Sequence, residues 1–379
     1  MQLFLLSSLL SYLLTKGFTD DIMLVLRISE GGKCLITKKM SSTIKSVGFI
    51  MTLIIVFYHC NYSGEPFGSF DGKAIGIVDS SAEALAFVAM CWFFSISGFL
   101  LFRNLTFKNY AKKLKKRAVS LLVPYFIWEF AAVVPLIVIP LIHHSSIVSS
   151  KLFQDLLCGV FLMKSLPPNG ALWYLFALFL LTALSPLFLL LFKNKNIGWL
   201  ATVALTVLIY CLDNTDNIVS RQILSYGYIR LVFSYLPSFL IGAFMGHFSE
   251  NSDGTDKIKY ILSLLLAGIL FEGAFTGIAK DSLVRILPVL ILYFMPDLTA
   301  FEGKKAYRIS FLVYAIHQPL LEFRRFLIPA VSKIPYAFFA SLTLRFLFII
   351  IIIAAAAFIH FVLGKIAPKL LNIVTGGRS

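Results

Sequence analysis

Long uninterrupted apolar runs constrain this chain more than any other feature. The stretch 335–363 carries Arg345 as its single Asp, Glu, Lys or Arg. A helix needs about 20 predominantly apolar residues to cross the hydrocarbon core of a bilayer. Comparable runs recur at 44–62, 80–102, 119–142, 171–192, 197–212, 229–247, 259–278, 283–296 and 308–328. They are continuous in Leu, Ile, Phe and Val, without the alternation of barrel strands. In lipid every backbone N–H and C=O must be paired within the protein, which helices do along their own length. The expected fold is an all-α, polytopic transmembrane helical bundle of about ten spans, with the lipid bilayer as its first partner. Pro288 is expected to kink the run at 283–296, with neighbouring helices satisfying the freed carbonyl.

Composition and charge agree. Of 379 residues, 59% are hydrophobic and only 14% are Asp, Glu, Lys or Arg, against about 25% in soluble domains. The net charge of +15 does not indicate nucleic acid, because the bases sit in short stretches between apolar runs. Residues 103–117 hold seven bases and no acid, which assigns this loop to the cytoplasm. Alternation along the chain then puts Lys193, Lys195, Lys257, Lys259, Lys304, Lys305, Arg308, Lys365, Lys369 and Arg378 on that side. The opposite loops near 143–170 and 212–228 are poorer in bases, with Lys151, Lys164 and Arg221 as exceptions. Both termini are therefore expected in the cytoplasm.

Residues 41–364 form the membrane domain on this reading, and 365–379 a short cytoplasmic tail. Residues 1–40 fit poorly. Their apolar stretch MQLFLLSSLLSYLL lacks the basic lead of a signal peptide. It reads as an interfacial helix or as an over-long gene model with initiation at Met40; an additional span would invert the topology. The five cysteines show no CxxC or zinc spacing and read as packing residues. No phosphate-binding GxxxxGKS loop and no HExxH pair is present, which argues against an ATP-driven pump and a zinc protease. No metal is expected.

Ionisable groups inside spans are expensive and so are candidates for function, the alternative being a polar network that ties helices together. His59, in FYHCNY, lies near the outer end of the first long run. An imidazole there can take a proton from a hydroxyl and return it. His317, in FLVYAIHQPLLEF, lies near mid-depth of the ninth run, with Tyr314 three residues before it on the same helix face. Glu129 and Glu272 are further deep candidates, with Arg230, Arg285 and Arg345 as prospective partners.

Several segments in this order resemble the integral membrane acyltransferase 3 family. They are IMTLIIVFYHC, FFSISGFLLFRN, KKRAVSLLVPYFIW, GALWYLFALFL, YLPSFLIGAFMG and ISFLVYAIHQPLL, and the resemblance runs over about 41–364. It implies a membrane O-acyltransferase that moves an acyl group, usually acetyl from acetyl-CoA, to a hydroxyl of a cell-surface or secreted glycan at the bacterial inner membrane. It assigns the catalytic histidine to His59. Ser97, Gly98, Arg117, Trp173, Tyr314 and His317 match segments expected to hold substrate, and Lys45 and Arg103 are expected near the acyl-CoA donor. One position departs: Gly48 stands where the family commonly has arginine, and Lys45 is the nearest upstream base. The rival reading is a transporter or flippase for a lipid-linked glycan, which would use the same kind of bundle.

Overall fold

The computed structural model describes residues 38–62, 69–142, 159–160, 167–214, 229–248, 254–295, 305–327, 333 and 337–378. The 1–37 part of the N-terminal extension, with both readings given for it, lies outside them. So do His143, His144, Lys151, Lys164, Asp216 and Arg221.

The described residues form helices throughout. In chain order these are α1 (Lys38–His59), α2 (Ser69–Phe102), α3 (Tyr110–Arg117), α4 (Val123–Ile142), α5 (Trp173–Ala183), α6 (Ser185–Leu191), α7 (Lys195–Asn214), α8 (Ile229–His247), α9 (Gly254–Phe271), α10 (Ile278–Phe294), α11 (Ser310–Leu321), α12 (Ala337–Ile366) and α13 (Pro368–Val374). A π-helical turn, Ala118–Leu122, joins α3 to α4.

Five helical stretches are long and apolar enough to cross a membrane: Lys38–His59, Asp71–Phe102, Tyr110–Val134, Lys195–Asn214 and Ala337–Ile366. A sixth results if the pair Gly170–Ala183 and Ser185–Leu191, bent by 51°, counts as one broken span. The chain is thus a polytopic helical membrane protein. Two of the remaining expected spans are short or carry charge. The 17-residue α10 carries Lys280, Asp281 and Arg285. The 12-residue α11 gives way to the 3-10 turn Glu322–Phe326 just after Pro319. Large apolar side chains point outward where lipid would meet them, among them Leu270, Phe339, Ile350 and Phe358.

The core is organised around α2 and α8, which touch backbone to backbone. A Cβ added to Gly98 would lie 2.2 Å from the Phe239 carbonyl oxygen. One on Gly242 would lie 1.9 Å from Ser95 O, and one on Gly246 2.3 Å from Phe99 O. Gly242 and Gly246 are four apart, so they present one face, the small-xxx-small arrangement that lets membrane helices approach closely. Both pairs advance together along the chain, so α2 and α8 run parallel. Gly242→Leu is expected to prevent this approach, costing well beyond the about 1–3 kcal/mol of ordinary overpacking. Detergent-extracted protein should lose its monodisperse elution peak. Gly76→Ala, where nothing lies within 4 Å of the added atom, should keep it.

Candidate active site

Two parallel helices build the centre. Thr52 Oγ1 of α1 lies 3.0 Å from Ser310 Oγ of α11. Seven residues later on each helix stand His59 and His317, with ring centroids 5.1 Å apart. Seven residues are two turns, about 10.5 Å of rise, so one register sets both contacts. Below them, Ser46 Oγ donates to Tyr307 OH at 3.3 Å.

His317 is fully buried. Its Nδ1–H donates to the Tyr314 carbonyl at 2.5 Å, which fixes the tautomer and leaves Nε2 with its lone pair. That Nε2 is buried without a hydrogen-bond partner. His59 is half-buried at the end of α1. Arg324, in the 3-10 turn after α11, reaches back to this end, its Nη1 donating to His59 O at 3.1 Å and to Asn61 O at 2.5 Å. A cation there satisfies the last carbonyls of α1 and complements its dipole.

Pro319 explains the next contact. It has no N–H for the Ala315 carbonyl four residues earlier. Asn169 Nδ2 donates to that carbonyl instead, at 2.8 Å. The Asn169 backbone N–H donates to Glu129 Oε2 of α4 at 2.9 Å. Glu129 and Asn169 are fully buried, and Glu129 Oε1 and Asn169 Oδ1 have no partner. With His317 Nε2, these are three buried polar atoms left unsatisfied around one connected group. Buried polar groups are nearly always paired, so such a set marks a place for a polar ligand or reacting group.

The other expected site residues fall in distinct places. Ser97 Oγ lies 2.9 Å from Tyr174 OH, and Tyr174 OH donates to Phe93 O at 3.0 Å. Gly98 backs onto α8. Trp173 stacks on Phe94 at 5.8 Å within an aromatic group that includes Tyr235. Tyr314 OH donates to Ala171 O, and its ring lies 5.9 Å from His317 and 6.3 Å from Tyr174. Arg117 is partly buried at the end of α3, and Lys45 is exposed on α1. Arg103 follows α2, where Lys113 Nζ donates to Leu101 O at 3.1 Å and folds α3 onto that helix end. A Cβ at Gly48 would lie 3.8 Å from Trp92 Nε1.

Other charges pair differently from the sequence expectation. Arg345 of α12 pairs with Asp79 of α2, not with Glu129 or Glu272. Arg285 pairs with Asp281 at 2.5 Å, one turn before it, and Arg230 Nε lies 3.7 Å from Asp213. Glu272 is not deep: it lies in the turn between α9 and α10 and accepts the backbone N–H of Ala279 at 2.8 Å and Gly277 at 2.7 Å. Those two bonds hold its carboxyl below the usual carboxylate range. Sequence reasoning missed Asn169, whose only local signal is a polar residue between Pro167-Pro168 and the apolar run of α5.

Residues 49–363 match the family model described as an acyltransferase domain. The chain belongs to this acyltransferase 3 family and is a membrane acyltransferase. It is also similar to the succinoglycan biosynthesis protein ExoH of Rhizobium meliloti (strain 1021), with 24% identity over 360 residues, 90% of this chain and 93% of that relative. No solved structure matches the chain significantly.

Proposed function

We propose that this protein transfers an acyl group, acetyl in the first instance, from acyl-CoA to a hydroxyl of a cell-surface or secreted glycan. The observation that carries the proposal is the His59–His317 pair, 5.1 Å between ring centroids, with His317 Nε2 and the nearby Glu129 Oε1 and Asn169 Oδ1 buried and unsatisfied. The ExoH relative is named for the biosynthesis of succinoglycan, which favours a glycan acceptor.

The donor supplies a thioester, an activated carbonyl with a good leaving group. His59, the more exposed imidazole, takes the proton of the acceptor hydroxyl as its oxygen attacks the thioester carbonyl carbon. The new C–O bond forms, the C–S bond breaks, and the departing thiolate takes the proton back from His59. His317, with Nδ1–H tied to the Tyr314 carbonyl, presents Nε2 as an acceptor for a neighbouring hydroxyl of the glycan, which orients the acceptor while the attacking hydroxyl gives its proton to His59. Asn169 and Glu129 hold α11 and the turn before α5 together beneath it. Arg324 positions His59 through the backbone of α1.

On this reading the membrane domain covers 41–364 with about ten spans in the bacterial inner membrane, and both ends face the cytoplasm. The parallel course of α1 with α11, and of α2 with α8, supports that count, since each pair then differs by an even number of crossings. Cysteine-accessibility mapping at 103–117 and 365–378 should report one shared, cytoplasmic side.

Mass spectrometry of surface glycan from cells with and without the gene tests the activity. Acyl mass increments should disappear with the gene, and labelled acyl transfer in isolated membranes should require added acyl-CoA. Acylation that persists without the gene would sink the proposal. Transport of an unmodified glycan with no acyl-CoA dependence would favour the flippase reading.

A further inference from the structure

The segment after α12 reaches back toward the site. α13 is tied to α4 by Trp128 Nε1, which donates to Val374 O at 2.9 Å. Gly376 and Gly377 follow with φ of +61° and +78°, a backbone region that L side chains rarely adopt. Gly377 N–H donates to Asn372 O at 2.8 Å, closing the turn. The turn delivers Arg378, whose Nη1 donates to Thr375 O at 3.1 Å and to Ser120 O, in the π-helical turn, at 3.2 Å. Its guanidinium lies 4.9 Å from the Phe311 ring of α11.

The surroundings of Arg378 are unusual in sign. The charged and titratable groups that act on it are Arg117, Tyr174 and Tyr314. Among the described residues no carboxylate pairs with Arg378 or Arg117. Burial, and then the Arg117 charge, pushes the Arg378 guanidinium down to about 10, so it remains a cation at neutral pH. Two like charges gathered without a counter-charge among the described residues are costly, and an anion between them removes the cost.

Arg378 is exposed, and Arg117, Tyr174 and Tyr314 are partly exposed. The four lie together at the end of the bundle that carries the basic residues 103–117. Phe311, Tyr314 and His317 lie on successive turns of α11, so about 9 Å of helix rise separates the Arg378 contact from the histidine pair. The segment also lies beyond the residues 49–363 that match the family model.

We propose that Arg378 binds the phosphate groups of the acyl-CoA donor, forming with Arg117 a two-guanidinium clamp at the end of the bundle from which α11 leads to His317 and His59. The assignment rests on the acyl-CoA reading above and adds to it a residue of the tail segment. Guanidinium forks suit phosphate better than lysine does.

Coenzyme A and its phosphate-free fragment pantetheine are the probes, titrated against the full chain in nanodiscs. Arg378→Gln is expected to weaken coenzyme A by about tenfold or more and to flatten the salt dependence of its binding. Pantetheine should bind both proteins equally. Arg378→Lys should fall between them. Gly376→Ala, whose added Cβ would lie 2.2 Å from Ser120 O, should displace the turn and reproduce the Arg378→Gln result, with monodisperse elution showing an intact bundle. Unchanged coenzyme A affinity in Arg378→Gln overturns the proposal. An equal loss for both probes overturns it too, because it makes Arg378 a packing or lipid-headgroup residue. Wild-type protein that binds pantetheine but no coenzyme A more tightly removes the clamp alone. Acylation found to use another donor removes the reading beneath it.

Discussion

His59→Ala, produced at the wild-type level, is expected to lower acyl transfer by about 10²–10⁴-fold, the usual contribution of a positioned general base. Initial rates in isolated membranes with labelled acyl-CoA measure it. Donor affinity should change little, because the substituted side chain stands at the far end of α1 from the basic loop. The fold should survive, since His59 is half-buried and the Arg324 bonds go to backbone oxygens, which alanine retains. Transfer within threefold of wild type would remove His59 from the base role. His317→Gln separates the partners: it keeps a polar group near the acceptor but loses the imidazole. Its expected loss is smaller and falls mainly on acceptor KM.

Asp79→Ala is expected to destabilise the bundle by about 3–5 kcal/mol, the usual cost of stranding one member of a buried ion pair. Asp79 accepts from Arg345 Nη2 and, at 3.2 Å, from the Tyr62 backbone N–H. Arg345 is 1% exposed, and its guanidinium lies 5.0 Å from the Tyr62 ring and 5.3 Å from the Phe57 ring. The substitution leaves that cation among aromatic rings with no anion. Thermal unfolding in detergent, followed by elution profile, should show the loss. Asp79→Ala combined with Arg345→Met should recover much of it, because an apolar side chain of similar length needs no partner. A double variant as unstable as the single one would show that the pair is not the source.

Much of the architecture was legible from periodicity and charge. The apolar runs located α1, α4, α7, α8 and α12 closely, because lipid imposes one requirement on every residue of a span, whereas the run at 80–102 caught the end of α2 but not its start at Ser69. The short α10 and α11 were harder. Their apolar runs continue through Pro288 and Pro319 without announcing where a helix stops. Both histidines were visible as costly groups in apolar runs. Their meeting was not, since it depends on the seven-residue register from Thr52 and Ser310, and nothing in either run marks that contact. Asp79 escaped notice because it lies one residue outside the apolar run that begins at 80. Asn169 escaped because its partner is a carbonyl freed by a proline 150 residues later along the chain, the contact itself spanning 146 residues. Pairings among Arg285, Arg230 and Glu272 are decided locally, within a turn or a loop, and a reading that sought distant partners overlooked them.

Pro319 has a mechanical corollary. By forfeiting one of its own rungs, α11 has been stitched to the turn that leads into α5, and through that turn to α4. These three elements cannot slide past one another without orphaning the Ala315 carbonyl and the Asn169 N–H, at about 1–3 kcal/mol for each group. A bulky acceptor must therefore enter by a route that moves them as one block, leaving the 51° bend between α5 and α6 as the nearest joint.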